Sequence, residues 1–137
     1  MEKSKKSSKT TPKQETYSDN YTSELQEQWA VLAKLEYPFY VQYVHRGRWI
    51  PARHLLFVCS KIEQFIQEKT GHPYDILILQ MPPQHGKSKS TTETLPSWYL
   101  GKWPEKRVIE VSYNETFAQK FGRRNREKIK EYGEKLS

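Results

Sequence analysis

The chain has 137 residues, with 23 Lys and Arg against 16 Asp and Glu, a formal net charge of +7. That length holds at most one domain, and the charge favours an acidic partner, for which nucleotide and DNA both qualify. No run approaches the ~18 apolar residues needed to cross a bilayer, and a single cysteine, Cys59, excludes an intrachain disulfide and fits a reducing cytoplasm.

Residues 1–20 are polar and Lys-rich, with Ser, Thr and Pro and almost nothing to bury, so they read as a disordered tail. The tail lacks the apolar core of a signal peptide. Lys3, Lys5, Lys6, Lys9 and Lys13 could touch DNA phosphates, although a solubilising tail is the favoured reading. Residues 21–137 then read as one unit. The first helix is expected from Ser23 to Glu36, with Ser23 and Gln26 as a capping box and Leu25, Trp29 and Leu32 at helical spacing. Pro38 can open a second helix through Val44. This stretch carries Tyr37, Phe39, Tyr40 and Tyr43 near Arg46, Arg48 and Arg53, an interleaving that either packs or stacks bases or an adenine ring. The third helix, 52–69, has the cleanest stripe: Leu55, Val58, Cys59, Ile62, Phe65 and Ile66. It is expected to cover the strands that follow, and Gly71 to end it as a left-handed cap.

Asp75 to Gln80 (DILILQ) is a short apolar run that empties into Met81-Pro82-Pro83-Gln84-His85-Gly86-Lys87-Ser88. A buried strand leading into Gly-Lys-Ser and then a helix is the pattern of a phosphate-binding loop. Gly86 lets the backbone approach closely, Lys87 supplies charge to the β and γ phosphates, and the Ser88 hydroxyl is placed to ligate Mg²⁺. The strict pattern wants Gly five residues before Gly86, where this chain has Met81. The bland alternative is a strand, a Pro-rich turn and a helix start. Residues 88–100 are expected to form a helix that Pro96 kinks or ends early. A turn at 101–104 follows, then a second strand at 107–111 (RVIEV), and a helix from Glu115 to Tyr132 bearing Arg123, Arg124, Arg126, Lys128 and Lys130. Strand, loop, helix, strand is a parallel, right-handed βαβ unit, so the predicted fold class is α/β: an incomplete P-loop NTPase domain preceded by about three helices. Two strands make a poor core and leave open edges, which implies marginal stability and self-association. His45, His54, His72 and His85 lack partners at metal-ligand spacing.

The segments PPQHGKS, PSWYLG (96–101), VIEVSYN (108–114) and Phe117-Ala118, in this order and at about this spacing, resemble the ATPase domain of tailed-phage terminase large subunits. Trp49-Ile50-Pro51-Ala52-Arg53-His54 ahead of a helix also fits, and the resemblance covers roughly residues 35–132. It implies a motor that packages double-stranded DNA into a procapsid in the host bacterial cytoplasm, with ATP and Mg²⁺ as cofactors and a small terminase subunit and portal as partners. Carried over residue by residue, it implies nucleotide binding by Pro83, Gln84, His85, Gly86, Lys87, Ser88 and Lys89, with Ser88 holding Mg²⁺ through the nucleotide. Arg53 and His54 would lie on the adenine side, and Asn114 would either sense nucleotide or cap the last helix. Many members carry Arg where Gln84 stands, and a neutral Gln cannot stabilise transition-state charge as a guanidinium does. No apolar strand ending in Asp-Glu follows Val111, and no nuclease carboxylates are present. The chain therefore reads as the N-terminal part of an ATPase domain, or as a nucleotide- or nucleic-acid-binding remnant without turnover.

Overall fold

The apolar stripe on the third predicted helix organises the molecule, as its spacing implies. The computed structural model describes residues 23–68 and 70–136. The proposed tail and the Ser23 side chain of the capping box lie outside the described residues. Six helices follow in order: α1 (Ser23–Leu35), α2 (Tyr37–Val44), α3 (Arg53–Gln67), α4 (Lys87–Ser90), α5 (Leu95–Lys102) and α6 (Glu115–Leu136). Leu55, Val58, Cys59 and Ile62 recur at i, i+3, i+4 and i+7 on α3, and all four are buried. They meet Tyr37, Tyr40, Val41 and Val44 of α2, with Ala33, Trp49, Trp98 and Tyr132 completing the core. Trp29 packs edge-on against Phe39 at 5.8 Å, consistent with a packing role.

Helix ends follow local chemistry. Pro38 sits in the first turn of α2, where its missing N–H costs nothing. The Tyr37 amide at that end donates to the Glu63 carboxylate of α3 at 2.9 Å. Pro96 plays the same part in α5. The expected 88–100 helix is therefore two pieces, α4 and α5, separated by a turn at 91–94. α3 ends at Gln67, capped by Glu68, whose amide bonds the Gln64 carbonyl. Gly71 does take a left-handed φ of 80°, but three residues beyond that cap.

The α/β expectation is not met. Among the described residues there is no strand and no sheet, so the parallel βαβ unit is absent and the domain is helical. Residues 74–82 and 107–112 carry no helix or strand. Their period of two survives without a ladder. Leu79 and Met81 pack on the core, whereas Ile76 and Ile78 are 72% and 75% exposed. In the second segment Glu110 and Ser112 are half-buried, whereas Ile109 and Val111 are each 88% exposed. β-branched residues report a preference for pleated, half-buried surface, not the presence of a neighbour to pair with. Neither segment has one, so α3 covers α2 and α4 instead of a sheet.

The exposure of Ile109 and Val111 has a measurable consequence. Ile109→Ser and Val111→Ser should each change unfolding free energy by less than about 0.5 kcal/mol, as exposed sites do. Urea unfolding would show otherwise if either lost more than about 2 kcal/mol, the range expected for a buried aliphatic side chain.

Candidate functional site

The loop between the first extended segment and α4 has an unusual division of its polar groups. Gln84 and Gly86 both take positive φ, 62° and 80°. The positive φ of Gly86 favours glycine, and a Cβ there would come within 3.1 Å of Leu55 Cδ1 of α3, so that side chain would have to shift by a few tenths of an ångström. Alternation of this kind curls a chain into a concavity that turns its amides toward one side, a shape that suits anions.

The carbonyls of this stretch are engaged by the protein. His85 Nδ1–H donates to Pro83 O at 2.7 Å, and His54 Nε2–H reaches His85 O at 3.4 Å. A carbonyl only accepts, which fixes the proton on those ring nitrogens. Gly86 O accepts from the Ser90 amide and hydroxyl at 3.1 and 3.2 Å. Lys87 O accepts from the Thr91 hydroxyl at 2.8 Å, Ser88 O from the Glu93 amide at 2.9 Å, and Lys89 O from the Thr94 hydroxyl at 2.6 Å. The amides of Gln84, Gly86, Lys87, Ser88 and Lys89 donate to no carbonyl in the loops and turns of the described residues, the last three being first-turn amides that a helix leaves unpaired. A trans peptide directs its C=O and N–H in opposite directions. Tying the carbonyls to the protein therefore turns the N–H groups of Gln84, Gly86, Lys87, Ser88 and Lys89 away from it.

Side chains add to this face. Lys87, Ser88 and Lys89 are exposed, and their side chains make no hydrogen bond or ion pair among the described residues. Lys87 presents an ammonium and Ser88 a hydroxyl on this face. His54 stands beside the loop, with its ring 6.0 Å from that of His85. Arg53 is exposed at the start of α3 and makes no hydrogen bond or ion pair with the loop among the described residues. Asn114 serves as the cap of α6: its Oδ1 accepts the Thr116 amide at 2.8 Å. The site is an open surface and not a cleft. The better-defined cavities, of about 400 Å³ beside Tyr40, Trp98, Leu100 and Ile129 and about 520 Å³ at 70–76, are lined by other residues. Among the described residues no group of three or more metal-ligating side chains occurs.

Behind the loop lies a buried polar layer that local sequence patterns do not reveal: Tyr37 is expected to pack or stack, and Arg124 and Lys128 to belong to a basic cluster on the last helix, whereas Lys128 is buried. The Tyr37 hydroxyl donates to Ser90 O at 2.6 Å, and Trp49 Nε1 donates to Ser90 Oγ at 2.9 Å. Burial pushes the Tyr37 phenol well above its ordinary value, so it remains a donor. His45 Nε2 lies 3.0 Å from Thr94 Oγ1, whose only proton already goes to Lys89 O, so the imidazole is the donor. From α6, Lys128 Nζ donates to Glu93 O at 2.7 Å, Asn125 Nδ2 to Thr92 O at 2.8 Å, and Arg124 pairs with the Glu93 carboxylate. Burial also pulls the Lys128 ammonium below its usual range, against the opposing pull of Glu93.

No protein-family model, curated protein or solved structure matches the chain. Among the described residues, no helix is long and apolar enough to cross a membrane.

Proposed function

We propose that this chain is a terminase-large-subunit-like module whose loop, Pro83 to Lys89, binds the phosphate chain of Mg·ATP. The observation that carries the reading is the set of amides of Gln84, Gly86, Lys87, Ser88 and Lys89 with no loop or turn partner among the described residues, opposite a run of engaged carbonyls. Such amides stabilise oxyanions, and Lys87 adds a full charge where the terminal phosphates would lie. Ser88 Oγ supplies a ligand for the nucleotide's Mg²⁺, and His54 and His85 flank the loop. The helical support replaces the strand that such loops usually follow, so the proposal concerns the loop and not a βαβ fold.

Binding without turnover is the action ascribed to this chain alone. Glu93, the acidic residue nearest the loop in sequence, is tied to Arg124 and is not free to orient a water. The second partner is double-stranded DNA in the bacterial cytoplasm, met by the outer face of α6. Arg123, Arg126 and Lys130 recur there at i, i+3 and i+7 and are exposed, opposite the buried Asn125, Lys128 and Tyr132. A small terminase subunit and a portal belong to the intact machinery that this reading places it in.

Calorimetric titration with Mg·ATP tests the proposal. Saturable binding that pyrophosphate displaces, with phosphate release at background, is the expected result. No saturable heat at millimolar nucleotide would remove the assignment, and vigorous hydrolysis would remove the binding-only clause.

A further inference from the structure

We infer that Trp49 and Tyr37 are positioning residues for the phosphate-binding loop and act through Ser90. The inference rests on the proposed nucleotide reading and deepens it. Ser90 is fully buried and lies four residues after Gly86, at the end of α4. Its amide and hydroxyl both reach Gly86 O, so the serine holds the last left-handed peptide of the loop in place. Ser90 is itself held twice from distant parts of the chain. Trp49 Nε1, on the segment before α3, donates to its hydroxyl, and the Tyr37 hydroxyl, at the start of α2, donates to its carbonyl.

Both donors are buried. Tyr37 is 0% and Trp49 3% exposed, and the Tyr37 ring packs on Trp98 at 5.0 Å. Leu55 packs close to the α-carbon of Gly86. The loop glycine thus has as neighbours an aliphatic side chain and a serine that two aromatic donors lock. A serine hydroxyl rotates freely unless its partners select one orientation. With the indole N–H as donor to its oxygen, the Ser90 hydroxyl proton is left to point at Gly86 O. Loss of the indole N–H frees that rotor, loosens the Gly86 carbonyl and with it the Lys87 amide on the same peptide. Neither aromatic touches the anion; each sets how well formed the loop is before the anion arrives, which governs affinity through the ordering cost of binding.

Trp49→Phe keeps the ring and removes the donor, and Tyr37→Phe does the same on the other side. Either variant should weaken Mg·ATP binding about five- to tenfold, the effect of one net hydrogen bond. Ser90→Ala should weaken it similarly, and Trp49→Phe added to Ser90→Ala should cause no further loss, because the two act through one contact. A merely structural role would lower the melting temperature and leave the dissociation constant of the folded protein unchanged. Circular dichroism identifies any variant that fails to fold, and the remaining phenylalanine variant then carries the test. Wild-type binding with all folded variants within twofold of it overturns this inference alone. Absence of wild-type binding overturns the nucleotide reading and this inference together.

Discussion

Lys87→Ala is expected to abolish most of the affinity for Mg·ATP while leaving the fold untouched. Lys87 is exposed and contributes no hydrogen bond, ion pair or ring contact to the described protein. Removing it leaves no buried group without a partner, and alanine is at least as good a helix former in α4 as lysine. The unfolding free energy should therefore move by less than about 0.5 kcal/mol. Binding is different. A hydrogen bond from an ammonium to an anionic oxygen contributes about 1.5–3 kcal/mol, which corresponds to a loss of at least about tenfold in affinity. The loop amides remain, so residual weak binding is expected in the variant. Paired titration and thermal unfolding check both halves. Equal dissociation constants for wild type and variant would mean that nucleotide, if bound, sits elsewhere.

A second large effect comes from His45 and concerns stability. Burial first, then the neighbouring Lys128 and Lys89 ammonium groups, lower the imidazole from its ordinary value of 6.5 to about 4, while Glu93 and a backbone hydrogen bond at Lys89 oppose the shift. The folded state therefore disfavours the protonated ring. Stability from this group is fully present above about 6.5, is lost as pH falls toward about 4, and changes no further below that. The full span corresponds to about 3 kcal/mol, and solvent at the ring edge reduces the expected loss to about 2 kcal/mol. The raised carboxyls of Glu63 and Glu110 act in the opposite sense, since burial makes protonation in acid favour the fold. His45→Gln isolates the histidine, because the amide can still donate to Thr94. Between pH 7 and pH 4 the wild type should lose about 2 kcal/mol relative to that variant in urea unfolding. Parallel pH profiles would show that His45 titrates normally in the folded protein.

The helices were legible because they are written locally. The α3 stripe, the basic α6 with its cap at Asn114, and Pro38 and Pro96 at helix starts are all patterns within a few residues. The turn into α4 is legible for the same reason: Gly86 takes the left-handed φ that the lack of a side chain permits, whereas the positive φ of Gln84 has no such local signal. The absence of strands is not legible because pairing is not local. DILILQ and RVIEV state that the chain can be extended with one face inward, and the structure keeps that alternation. They contain nothing that says a second strand will lie alongside. The clamp behind the loop was invisible for a related reason. Tyr37 and Trp49 reach Ser90 across 53 and 41 residues of sequence. Only their character, large apolar rings with one donor at the tip, hints that a buried acceptor must exist somewhere.

The most direct test is a two-dimensional amide NMR spectrum of the labelled chain, titrated with Mg·ATP. Saturating shifts of the amides of Gln84, Gly86, Lys87, Ser88 and Lys89, with α6 unaffected, are the expected result. Saturation that leaves those amides in place, or shifts confined to the basic face of α6, would contradict the account, because the nucleotide would then be read as a polyanion on a charged helix.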